Sequence, residues 1–147
     1  MRAKAPIFDC EGNAIANENI CARAVINDCI KTIFPMINWN NQEQPAPPFI
    51  ASIFHYYLSD DLEGYEEYDQ QTIELVKGIP GYLGYESFKH GGRGSFISYW
   101  KDMDAVRAWA QHPVHREAKE MGKSRWYRYY HSEIAEVRSF HSHGPEN

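Results

Sequence analysis

The spacing of apolar and polar positions changes several times along this chain, and each change marks an element. Phe49–Leu58 (FIASIFHYYL) is apolar or aromatic apart from Ser52 and His55, which predicts a strand covered on both faces. Leu62, Tyr65, Ile73 and Val76 form a stripe that predicts a helix. Asp60 and Glu63 are spaced as a capping box at its start, and Gly78 stops it. Pro80-Gly81 then turns the chain. Tyr82–Lys89 and Ser95–Trp100 predict the two strands of a hairpin around the HGGRG turn, His90–Gly94. Asp102 is placed to cap a helix that turns Met103, Val106 and Trp109 inward, and Pro113 disfavours helical geometry at His112. A second helical piece runs from Val114 to about Tyr127, and a last strand from roughly Tyr129 to Ser139.

The order β-α-β-β-α-β is the ferredoxin-like α+β pattern, an antiparallel sheet with helices on one face. The strand Phe49–Leu58 has few polar positions, so the other face also needs cover. A second copy of the sheet supplies it most economically, which predicts a homodimer closing into a dimeric α/β barrel. Residues 1–48 read as an N-terminal arm and linker. Asn17 or Asn19 could cap a short helix that carries Cys21, Val25, Cys29 and Ile33 on one face and ends at Pro35. NWNNQEQPAPP, Asn38–Pro48, predicts an extended linker with no regular element. Residues 49–140 form the predicted domain, and residues 141–147 a tail.

Composition narrows the function. The net charge of −5, a pI near 5.8 and the lack of a basic run argue against nucleic acid and against anionic membranes. Aromatic residues make up 14% of the 147 positions, more than a small core needs, which points to an aromatic pocket or a large interface. The three cysteines, Cys10, Cys21 and Cys29, show no CxxC or zinc spacing. Arg2 and Lys4 are not followed by an apolar segment, and no stretch reaches the roughly 20 apolar residues of a membrane span. A reducing cytoplasmic setting and no metal site are the expectation.

The chemistry concentrates between Phe96 and Val137. His112 and His115 flank the helix break, where an imidazole could act as acid or base on a phenolic substrate or ligate haem iron. The plainer alternative has His112 capping the broken helix and His115 packing on Trp109. Trp100 and Trp109 could stack on a flat substrate, with Phe54 and His55 beside them, or simply fill the core. Arg125 and Tyr127 could steady negative charge developing on a substrate oxygen, or form a dimer seam. The glycines of HGGRG lie between two strands and do not open a helix, so they do not read as a phosphate loop.

The strand FISYW, the segment KDMDAVRAWAQHPVHREAKEMGKSRWY, the strand YYHSEIAEV and the loop GIPGYLGYES together resemble the antibiotic biosynthesis monooxygenase-like family of dimeric α/β barrels, over about residues 49–139. That resemblance implies a monooxygenase acting on a planar aromatic or quinol-like small molecule without a bound metal or flavin. His112 or His115 would take the proton, Trp100 and Trp109 would hold the ring, and Arg125 or Tyr127 would steady the charge. Haem-degrading members place an asparagine on the first strand, a tryptophan on the second helix, and a histidine about ten residues beyond it. Trp109 matches the tryptophan, but Lys119 stands at the histidine position and no asparagine is present on the strand. Haem binding through another histidine is the second expectation, and a non-catalytic ligand-binding dimer the third.

Overall fold

A computed structural model describes residues 36–143, and from Ile37 onward these belong to one compact unit. The cysteine-bearing helix expected before Pro35 lies outside the described residues. The elements are β1 (Asn38–Trp39), β2 (Phe49–Leu58), α1 (Tyr65–Val76), β3 (Tyr82–His90), β4 (Arg93–Trp100), α2 (Met103–Gln111), α3 (Pro113–Met121), a π-helical turn (Gly122–Trp126) and β5 (Tyr127–Val137). The strands form one sheet in the order β1-β3-β4-β2-β5, antiparallel at every pairing. From β2 onward this is the ferredoxin-like arrangement.

Alternation along β2 sorts the core into two layers. Ile50 lies on the helix side, where Val76, Tyr82, Trp100, Ala105 and Trp109 are buried together. Phe49, Ala51 and Ile53 point to the opposite side, where Tyr99, Ile97, Leu83, Val137 and Phe140 join them. β2 is covered on both faces at its Phe49–Ala51 end, as its composition implies, while Tyr57 towards its other end is exposed.

Asp102 caps α2 by accepting the amide hydrogen of Ala105 at 2.9 Å. His112 is extended (ψ 133°) just before Pro113, which opens α3 as its first residue. Three expectations differ. α1 begins at Tyr65 with Gly64 as N-cap and no side-chain cap, so Asp60 and Glu63 do not form a capping box. The Glu63 carboxylate is instead drawn to Arg125. The expected linker contains β1, whose Asn38 and Trp39 pair with Tyr85 and Gly84. A Cβ at Gly84 would collide with the Asn38 carbonyl oxygen, so the missing side chain lets the two backbones meet. Finally, the helical segment after Pro113 ends in the π-helical turn, and β5 starts two residues earlier than expected, at Tyr127.

Candidate functional site

A cavity of about 320 Å³ lies between the sheet and the helices. Its floor is built in rows by strand register. Ser52 pairs with Ser98 and Ile134, Phe54 with Phe96 and Ser132, and Tyr56 with Gly94 and Tyr130. All but Gly94 line the cavity. From Ile50, which pairs with Trp100, to Tyr56 is about 20 Å of strand, so the site has two distinct ends.

At one end Trp100 is 1% exposed, and its indole N–H donates to Ser98 Oγ at 2.9 Å. Trp109 stacks on it with ring centroids 6.5 Å apart. His115 lies flat on Trp109, at 5.0 Å between centroids and 8° between planes. His115 Nδ1 is 3.1 Å from the Trp109 carbonyl oxygen. A carbonyl only accepts, so Nδ1 carries the hydrogen and Nε2 is left as a lone-pair base. Burial, helped by the nearby Lys119 charge, lowers the His115 pKa and keeps the ring neutral at physiological pH.

At the other end Tyr56, Tyr65, Tyr68, Trp126 and Tyr127 converge. The Tyr65 hydroxyl donates to that of Tyr56 at 3.3 Å. Burial pushes the Tyr65 and Tyr127 phenols well above their ordinary range, so both stay protonated as hydrogen-bond donors. Two glycines make this possible: a Cβ at Gly94 would strike the Tyr56 ring, and one at Gly122 would meet the Tyr127 ring at 2.7 Å.

The residues expected from sequence separate into two groups. Phe54, Trp100, Trp109, His115 and Tyr127 line this one cavity. His55, His112 and Arg125 do not. His55 is one residue out of phase and lies on the opposite face of the sheet, bonded to Ser95 Oγ at 2.5 Å and with its ring 4.9 Å from that of His131. His112 packs beside Trp109 at 5.2 Å, with its Nδ1 buried and unpartnered. His112 does cap α2, through its backbone N–H, which donates to the Trp109 carbonyl at 3.0 Å, and His115 Nδ1 reaches the same carbonyl. The Arg125 guanidinium is held by Asp61, at 2.9 Å, and by Glu63, at 2.5 Å. It therefore has no charge to spare for a substrate. Trp126 and Tyr130, of the same aromatic run as Arg125 and Tyr127, also line it, whereas Tyr65, Tyr68 and the floor serines were not anticipated. Continuing the alternation of β2 from Phe54 to Tyr56 and across to its neighbours would have found several of them.

Among the described residues no group of three or more His, Cys, Asp or Glu side chains is placed to hold a metal ion, and no helix is long and apolar enough to cross a membrane. Haem can be tested against the cavity directly. His115 Nε2 is a suitable donor. However, about 320 Å³ is near the lower limit of small-molecule sites, which run from roughly 300 to 1,000 Å³.

The family model described as antibiotic biosynthesis monooxygenase matches residues 50–121, from the cavity floor through α3. The uncharacterized protein YqjZ of Bacillus subtilis (strain 168) is 42% identical over 94 residues, which is 63% of this chain and 82% of that relative. Among solved structures, Rv0793 from Mycobacterium tuberculosis is similar with a TM-score of 0.57 at 12% identity, over 64% of this chain and 99% of its own. A variant of SnoaB from Streptomyces nogalater, described as a cofactor-independent oxygenase, gives 0.56 at 12% identity, over 64% and 97%. At that identity the two structures share the fold with this chain.

Proposed function

We propose, because this chain belongs to the antibiotic biosynthesis monooxygenase family, that it oxygenates a planar aromatic or quinol-like small molecule within the cavity, without a bound cofactor. One observation supports this most: a neutral imidazole with a free Nε2 lies in a chamber walled by aromatic rings. The description of SnoaB as a cofactor-independent oxygenase agrees with it.

In the reaction, His115 Nε2 takes a proton from an acidic C–H or O–H of the substrate. The anion is electron-rich, and its carbon donates to dioxygen to give a hydroperoxide. Loss of water from a hydroperoxide that still bears a hydrogen on the same carbon leaves a carbonyl. One oxygen atom ends in the product and one in water, and the substrate supplies both electron pairs, so no external reductant is required. Trp100 and Trp109, already stacked and almost fully buried, form the back of the chamber, and the more exposed Phe54 and Phe96 rings hold the substrate. The Tyr127 hydroxyl donates to a substrate oxygen as negative charge gathers on it.

We assign a second copy of the chain to the opposite face of the sheet, where Tyr57, Phe88 and Tyr129 are exposed. The test is oxygen uptake with anthrone and 1,4-dihydroxynaphthalene, corrected for their uncatalysed oxidation. The expected result is saturable uptake of one dioxygen per anthrone consumed. Saturable binding with no uptake above background would instead make the protein an inert aromatic-ligand binder.

A further inference from the structure

The loop between β2 and α1 is tied to the π-helical turn by a set of bonds that the reaction leaves unused. Arg125 Nε and Nη2 reach both oxygens of Asp61, at 2.9 and 3.3 Å, and Nη2 also reaches Glu63 Oε2 at 2.5 Å. Ser59 donates its hydroxyl to the Arg125 carbonyl and its amide to the Trp126 carbonyl, the latter at 2.8 Å. The Trp126 indole N–H returns a bond to the Glu63 carbonyl at 3.0 Å. The ring held this way is an end wall of the cavity, packed 5.7 Å from Tyr65 and 5.5 Å from Tyr68.

We infer that Arg125 is a positioning residue, the pin of an electrolyte-sensitive latch that holds Trp126 and Tyr127 as the closed end of the ligand cavity. A buried pin would lock that end permanently. This one is built from exposed groups: the Arg125 side chain is 35% exposed and those of Asp61 and Glu63 are 53% and 78% exposed. Dissolved ions screen such pairs strongly, while the backbone bonds of Ser59 and Trp126 persist as a hinge. The end wall can therefore loosen without the fold opening, which gives a ligand an entry and exit route at the tyrosine end.

The ligand-free full chain tests this through acrylamide quenching of tryptophan emission. Raising NaCl from roughly 0.05 to 0.5 M should increase the quenching constant of the wild type about 1.5-fold as the pairs are screened. Arg125→Ala should start at the raised value and ignore salt, Arg125→Lys should fall between, and Trp126→Phe should remove the increment. If Arg125→Ala fails to fold, the wild-type salt titration and Glu63→Gln carry the test. A quenching constant unmoved by salt and by the substitutions, with the thermal transition intact, overturns the latch. The kinetic arm rests on the oxygenase reading: in Arg125→Ala KM for 1,4-dihydroxynaphthalene should rise about five-fold, and kcat should fall because Tyr127 is no longer held. A shift in quenching without any turnover would keep the latch and remove the oxygenase reading.

Discussion

Neighbouring residues of β2 serve opposite faces of one sheet, and the two faces have diverged in kind. The helix side carries Ser52, Phe54 and Tyr56 into an aromatic chamber with a part-buried imidazole above it. The other side carries Phe49, Ala51 and Ile53 into a packed apolar layer, then the part-buried His55 and the exposed Tyr57 into a strip beside Ser95, Arg93, His131 and Glu133. Both faces hold histidine and tyrosine, so residue type does not separate them. Burial does. His115 is desolvated and fixed as one tautomer by a carbonyl, whereas His131 lies near Glu133 at 3.5 Å on a half-exposed surface. Enclosure is what turns an ordinary side chain into a tuned base.

The sharpest way to break this contrast is to delete an imidazole from each face. His115→Ala should lower kcat at least about 100-fold, the usual minimum for losing a positioned general base, while His55→Ala should stay within about two-fold. Equal losses in steady-state oxygen uptake would abolish the distinction.

A second test fills the space that one face depends on. Gly94→Val should drive a side chain into the Tyr56 ring and cost about 1–3 kcal/mol, read as a lowered denaturation midpoint. Ser95→Ala, next in sequence but facing the other way, should cost less.

The third and smallest effect is in pH. His115 has a folded pKa below its unfolded value, so the unfolded chain binds more protons and stability rises with pH. Its contribution is full above the unfolded pKa of about 6.5 and is lost as pH falls from there through the folded value. Thermal melts between pH 5 and 8 should show this slope in the wild type and a flatter one in His115→Phe. The acid limb of kcat/KM should lie below the ordinary histidine range, because the base is free at neutral pH.

Much of the fold was legible because its determinants are local. The bounds of β2, the Asp102 cap, the hairpin and the Pro113 break are each set within a few residues. The site was only half legible. Trp109 and His115 share one local break, but a strand whose two polar positions, Ser52 and His55, fall on opposite faces hides which parity faces the helices, and that hid the misplacement of His55. Arg125 looked free because its carboxylate partners stand 62 and 64 residues away in sequence. β1 depended on a missing side chain at Gly84 in a strand distant along the chain.

The pairing of β2 with β5, from Phe49 opposite Val137 to Leu58 opposite Tyr127, also sets an order in time. Contacts so remote in sequence form late, because the chain between them must be closed before they reward it. During synthesis the hairpin, α1 and the tryptophan stack can assemble from what has already emerged. Tyr130, Ser132 and Ile134 follow all of these along the chain, so the chamber acquires the β5 side of its floor after the rest. A chain truncated before Tyr127 would therefore leave β2 as an open sheet edge and the chamber without one side of its floor.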